Sequence, residues 1–264
     1  MGCSKCGRHG VIFQEYSGLN LCMQHFREDV LHKAKKTVRK NHWLVPGERY
    51  AVALSGGPAS CALLDFMNTL IGKRNDVNLI AVTIKSTDQD AMEHARAITE
   101  AAGIPWFVIP TDNAMEKNLQ GDRSEILHQS PFHAHSLIEY SLSSNAENLK
   151  INALAMGYNL EDHAERALWN AISGAVTSQP GCQAEGRKRV RIIRPFMQIP
   201  RQELDLYTRL FLNDYYSKVQ AEAVNCMVAP VTAILAQFYR KHPGVPYALV
   251  NIGEQVKKFR DQVS

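Results

Sequence analysis

The chain has 264 residues, 45% of them hydrophobic and 21% charged, with a formal net charge of +4. That is ordinary composition for a globular protein and enough chain for one large core with a small appended module. No apolar run approaches the roughly 18 residues of a membrane span. The N-terminus runs into cysteines with no apolar segment of a signal peptide, so neither a membrane nor a secretory route is expected. Six cysteines, two of them in a C-x-x-C at the start, predict metal chemistry in a reducing, cytoplasmic setting over a disulfide framework.

In chain order, "CSKC" supplies Cys3 and Cys6, and "CMQH" supplies Cys22 and His25. The pairing places two donors on each of two tight turns, which suits a closed tetrahedral zinc site with a structural role. His9 offers a fourth donor in place of His25, though outside the paired geometry. The intervening "VIFQEYSGLN" predicts a hairpin turning at Ser17-Gly18. So short a segment has little core, and zinc would supply most of its folding energy. Next, "FREDVLHKAKKTVRKNHW" places Phe26, Val30, Leu31, Ala34 and Val38 on one helical arc and Lys33, Lys35, Lys36, Arg39 and Lys40 on the other. A basic face beside a zinc knuckle suits phosphate-backbone contacts, and a solvated helix face explains it equally well.

From residue 46 short apolar runs alternate with helical patterns. "RYAVALS" (49–55), "LIAVTIK" (79–85), "WFVIP" (106–110) and "INALAMGY" (151–158) predict strands buried on both faces. "CALLDFMNTLIG", "DAMEHARAITEAAG" and "EDHAERALWNAISGA" predict the helices between them. Such alternation predicts an α/β fold with a doubly wound parallel sheet, whose ligands bind at the carboxyl ends of strands. "SGGPAS" and "GYNLED" both fall there. In the first, Gly56 and Gly57 permit a sharp turn before a helix whose N–H groups and positive end attract an anion, and Ser55 and Ser60 add hydroxyls. Further on, "EGRKRVRIIRP" crowds Arg187, Lys188, Arg189, Arg191 and Arg194 together, with Arg187, Arg189 and Arg191 on one face if extended. The remainder predicts apolar helices that pack on this core or on a neighbouring subunit. The organisation expected is therefore 1–45, knuckle and basic helix; 46–200, α/β domain; 201–264, helical tail.

Taken together, the knuckle cysteines and His25, the Ser55–Ser60 loop, "GYNLEDHAE" (157–165) and "RIIRPFMQIPRQELDLY" (191–207) resemble, in the same order, the PP-loop or N-type ATP pyrophosphatase family. The resemblance is to its TtuA/TtcA-like tRNA 2-thiouridine synthetases, and it implies a PP-loop, HUP-like sheet. It also implies that ATP adenylates the oxygen of a tRNA base and that sulfur then displaces the adenylate. Ser55, Gly56, Gly57, Ser60, Gly157, Asn159 and Asp162 would hold ATP or AMP. A ubiquitin-like sulfur carrier, and a catalytic paralogue or a second copy of this chain, would be partners beside tRNA.

The departures from that family fall on the chemistry. Its loop commonly reads S-G-G-K-D-S, whereas Pro58 and Ala59 stand at the lysine and aspartate positions. Without the lysine no charge stabilises the leaving group, and proline removes an N–H donor. Lys85 ends the second strand where the family often has an acid, and Tyr158 stands where its G-H-N motif has histidine. The family's cluster-binding C-x-x-C would fall near "SPFHAHS" (130–136), which holds His133 and His135 but no cysteine. Cys61, Cys182 and Cys226 are scattered, so no iron–sulfur cluster is expected. His133 and His135 diverge if helical and read as surface histidines, while His163 is a candidate site residue. A tRNA-binding, catalytically degenerate subunit resembling the non-catalytic partner of the eukaryotic thiolation complex is therefore expected, with no catalytic residue assigned. The alternatives are an active tRNA sulfurtransferase using a protein sulfur donor without a cluster, and a nucleotide-binding zinc scaffold with no RNA role.

Overall fold

In the computed structural model, residues 1–72, 74–85, 88–110, 138–139, 141–142, 145–172, 190–212 and 230–263 are described. The knuckle hairpin consists of β1 (Ile12–Gln14) and β2 (Leu19–Leu21), antiparallel, with Gly18 at φ 68° in its turn. Helix α1 (Met23–Lys40) follows and buries Phe26, Val30, Ala34, Thr37 and Val38. The apolar arc legible in its sequence is the face that meets the core.

The central sheet comprises β3 (Arg49–Ala53), β4 (Asn78–Ile84), β5 (Trp106–Ile109), β6 (Ala153–Ala155) and β7 (Arg191–Ile193). Among the described residues its order is β5-β4-β3-β6-β7, with every pairing parallel. Helices α2 (Pro58–Ile71), α3 (Gln89–Ala102) and α4 (Leu160–Ile172) connect or follow the strands. Strand order reverses between β3 and β6, so the crevice at their carboxyl ends is where such a sheet binds ligands. Tyr50, Val52 and Leu54 pack into the core that contains α1 and α2, while Ala51 faces Ile80, Val82, Leu154 and Met156. Both faces of β3 are covered, which explains its unbroken apolar run.

Helices α5 (Arg201–Phe211), α6 (Pro230–Lys241) and α7 (Val245–Val263) complete the described chain. Helix α7 lies close against α4, where a Cβ on Gly253 would stand 3.0 Å from the Ala167 methyl. Helix α5 joins the hairpin to the sheet through Glu203, which is 0% exposed. Its carboxylate accepts hydrogen bonds from Gln14 Nε2 at 2.9 Å, Tyr16 OH at 2.5 Å and Lys33 Nζ at 3.0 Å. Burial, then Glu203, push the Tyr16 hydroxyl pKa far up, so Tyr16 stays a donor. Two turns end with a non-glycine residue in the left-handed region, His42 (φ 52°) and Lys150 (φ 53°). Such a conformation costs an L-residue about 1–2 kcal/mol.

Replacing Glu203 with leucine removes the acceptor of the Tyr16 hydroxyl and leaves the Gln14 amide and Lys33 to share Asp29, at 2.8 and 2.6 Å. Glu203→Leu is expected to cost about 3 kcal/mol, measured as a lower urea midpoint at unchanged slope.

Candidate nucleotide loop and metal knuckle

The turn at the end of β3 is built by glycine for a steric reason. Gly56 has φ 80°, and a Cβ there would overlap the backbone carbonyl of Ala91 in α3. Gly57 caps α2 in extended conformation and Pro58 occupies the first helical turn, where its missing N–H costs no intrahelical bond. Within the loop the hydroxyls bond inward. Ser60 Oγ donates to Gly57 O (2.8 Å), accepts from Ser55 N (3.2 Å) and stands 3.2 Å from Ser55 Oγ. Ser55 Oγ in turn accepts from Gly57 N at 3.4 Å. Among the described residues, no lysine or arginine bonds into this loop, and Pro58 and Ala59 bring no charge to it.

Gly157 brings the second segment against the loop. A Cβ there would lie 3.2 Å from Ala59 O and 3.3 Å from Ser60 N, so "GYN" backs directly onto the start of α2. Asn159 and Asp162 then cap α4 reciprocally: Asn159 N donates to Asp162 Oδ2 (2.9 Å) and Asp162 N to Asn159 Oδ1 (3.0 Å). Arg201 also donates to Asp162 Oδ1 at 2.9 Å, while its backbone N–H donates to Glu161 Oε2 at 2.8 Å. Sequence reasoning misses Arg201. The N-x-x-D spacing after a strand signals the cap, but nothing local announces the arginine across from it.

Tyr158 lies between two guanidiniums, with Arg166 and Arg194 at 5.6 and 5.8 Å from its ring centroid. Arg194 donates to the buried Glu139 carboxylate at 2.9 Å, with Arg166 3.9 Å from the same oxygen. Burial, followed by the Glu139 charge, pushes the Tyr158 hydroxyl well above its usual range. His163 stacks edge-on to Tyr158, with ring centroids 6.4 Å apart. Cys61, behind the loop, is buried and its thiol is pushed up to about 12 by that burial, which makes it an inert core residue.

At the knuckle, Cys3 Sγ and Cys22 Sγ stand 3.4 and 3.5 Å from His25 Nδ1, and Cys6 Sγ stands 3.7 Å from Cys22 Sγ. All four donor atoms lie within 4.8 Å of one another, a set that can close around one metal ion, with His25 and not His9 as the nitrogen donor. Burial raises the Cys3 thiol, but hydrogen bonds from the Cys22, Lys5 and Cys6 backbone and from His25 outweigh it and bring the pKa down to about 5. Arg8, 3.4 Å from Cys6 Sγ, lowers that thiol too. Thiolates are the form that ligates metal.

The basic candidates separate. Lys33 is drawn from the exposed face into the Glu203 network and lies 2.6 Å from Asp29. Lys40 pairs with Glu254 of α7 at 3.8 Å. Arg191 pairs with Glu48 and donates to Trp43 O at 3.2 Å. Lys36 and Arg39 are exposed and Lys35 half-exposed. Arg187 and Arg189, with Lys188, lie outside the described residues, as do His133, His135, Cys182 and Cys226.

A parallel doubly wound sheet with a glycine turn at its switch point, behind a Cys₃His knuckle, defines a nucleotide-loop α/β protein with an N-terminal metal module. The chain belongs to the PP-loop family: the PP-loop domain matches residues 26–217, and residues 3–27 match the N-terminal LIM domain of 2-thiouridine synthetase TtuA. Its homologues are tRNA 2-thiolation proteins. It is 23% identical to the tRNA 2-thiolation protein NcsA of Haloferax volcanii, over 95% of this chain and 85% of that one. To the cytoplasmic tRNA 2-thiolation protein 1 of Drosophila willistoni it is 22% identical, over 98% of this chain and 78% of that one. Among solved structures, the U34-tRNA thiolase NcsA from Methanococcus maripaludis with its [4Fe-4S] cluster shares the fold. That superposition has TM-score 0.77 at 24% identity, over 97% of this chain and 88% of that one. No helix among the described residues is long and apolar enough to cross a membrane.

Gly56→Ala forces a side chain into the Ala91 carbonyl at a left-handed position. The expected loss is about 2–4 kcal/mol, read as a fall in thermal midpoint; Gly18→Ala, with open space around it, should lose only the conformational part.

Proposed function

We propose that this chain acts in tRNA 2-thiolation as a tRNA-binding PP-loop protein whose nucleotide loop has kept its shape and lost its catalytic charge. One observation carries this: Pro58 and Ala59 stand in a loop whose serine hydroxyls bond to one another, with no cation bonding into it among the described residues. Gly56, Gly57, Ser55 and Ser60 provide a turn and a helix end that attract phosphate or AMP. Gly157 closes the crevice wall, and the cap formed by Asn159 and Asp162 orients α4 beside it. Phosphoryl chemistry depends on cations at the developing charge, and the lysine position supplies none. Lys35, Lys36 and Arg39 on α1 offer phosphate contacts to RNA, and Arg187 and Arg189 are proposed as further contacts. A catalytic PP-loop paralogue, a second copy of this chain or a ubiquitin-like sulfur carrier would complete the reaction.

For the knuckle we propose zinc. Tetrahedral zinc, with bonds of about 2.3 Å to sulfur and about 2.0 Å to nitrogen, sets its ligands apart by about 3.8 Å for S···S and about 3.5 Å for S···N. The spacings of 3.7, 3.5 and 3.4 Å support one ion at the centre. An iron–sulfur cluster is not part of the proposal, because the segment aligned with the family's cysteine pair holds histidines and no cysteine. Metal analysis should find one zinc per chain. Cys6→Ser should lose it and loosen the hairpin, and stoichiometric zinc in that variant would remove the assignment; a brown protein after anaerobic iron and sulfide reconstitution would overturn the inactive-site reading.

The degenerate loop is tested by pyrophosphate release with ATP and unmodified tRNA. Wild type should show none, because loss of one transition-state donor alone lowers rates by about two to three orders of magnitude. Pro58→Lys with Ala59→Asp should recover a measurable fraction. Robust release by the wild type would favour the active, cluster-independent sulfurtransferase instead.

A further inference from the structure

We infer that the edge of the sheet opposite the nucleotide loop is a phosphate-contact surface for the body of the tRNA. This rests on the tRNA reading above and extends the basic face of α1 to His42 and Lys150, which neither the loop nor that face implicates. All strands of the central sheet run parallel, so their amino ends share one edge. At about 3.3 Å per residue, β3 carries that edge roughly 20 Å from Ser55, and it cannot touch a base held at the loop.

Three segments meet at the edge. The end of α1 is anchored there by the Trp43 carbonyl, which accepts from Tyr50 OH (2.9 Å) and Arg191 NH2 (3.2 Å). The turn before β6 is anchored by Arg49, whose guanidinium donates to Leu149 O at 3.0 Å and whose backbone N–H donates to Asn152 Oδ1 at 2.9 Å. The start of β7 joins both, since Arg191 N donates to Asn152 O at 3.1 Å. Glu48 neutralises Arg191 within this frame.

The segments that meet there carry exposed basic side chains, Lys36 and Arg39 on α1 and Lys150 in the turn before β6, with an exposed His42 just after α1. None of these takes part in an ion pair among the described residues. His42 and Lys150 close the same kind of turn. His42 N donates to Arg39 O (3.2 Å) and Trp43 N to Val38 O (3.1 Å); Lys150 N donates to Glu147 O (3.0 Å) and Ile151 N to Ala146 O (2.8 Å). Both show the hydrogen-bond pair of a Schellman turn, the first at the end of α1, whose left-handed residue is usually glycine. Here each holds an exposed, strained residue capable of positive charge. Strain retained at a surface position points to use of the side chain. Unneutralised positive charge on a rigid frame fits a phosphate backbone better than an apolar or a cationic partner.

The test compares binding of unmodified tRNA transcript over a salt series. Wild type should bind with a steep log–log salt slope. His42→Gly with Lys150→Gly should hold or raise the thermal midpoint, because glycine takes this conformation freely, yet bind several-fold more weakly. Adding Lys36→Gln and Arg39→Gln should weaken binding about tenfold or more and flatten the slope by about 2–3, near one unit for each phosphate no longer neutralised. Lys36→Gln with Arg39→Gln alone repeats the measurement without touching either turn. Wild-type affinity and slope in the variant with His42→Gly and Lys150→Gly would overturn the edge surface and leave tRNA binding through α1 standing. Absence of tRNA binding by the wild type would overturn both.

Discussion

Glu203 is a carboxylate shut away from water, and such a group persists only when protein donors replace its hydration. Its donors come from the knuckle hairpin (Gln14 and Tyr16) and from α1 (Lys33), while the acid itself sits in the first turn of α5. One turn further along α5, Tyr207 OH donates to Asp65 of α2 at 2.6 Å and Thr208 Oγ1 to the Pro58 carbonyl at 3.0 Å. A continuous path of polar contacts thus leads from the metal knuckle to the first residue of the nucleotide-loop helix. A metal bound by the knuckle would steady the hairpin against which α5, and through it the loop, is seated.

The loop shows shape and charge coming apart. Its turn depends on glycine where Ala91 leaves no room for a Cβ, and its helix start on a proline compatible with the first turn. Neither requirement involves charge, and Pro58 and Ala59 bring none to the turn. The hydroxyls of Ser55 and Ser60 bond to one another and to the Gly57 carbonyl. Positive charge instead concentrates away from the loop: buried around Tyr158 on one side, exposed along α1 and the amino edge of the sheet on the other.

Much of this was legible in the sequence because local pattern determines it. Paired cysteines on tight turns, a 3.6-residue apolar arc in α1, unbroken hydrophobic strands and a double glycine each carry their own geometry. The four central strands that the sequence predicts begin and end within a few residues of their runs, β7 is a fifth, and the four knuckle donors named by spacing lie close together. The family resemblance added the order of the pieces.

Charge was the property that sequence could not distribute. Lys33 sits in the same basic run as Lys36, yet a slight rotation around α1 carries it under the hairpin to Glu203, far along the chain. Arg191 and Arg194 are close neighbours, but one pairs with Glu48 at the amino edge and the other enters the interior beside Glu139. Asp162 is held by Arg201 across two helices. Periodicity determines which residues share a face; whether a charge on that face is solvated or neutralised depends on what another element brings within about 4 Å of it. That is decided only when the strands and helices pack.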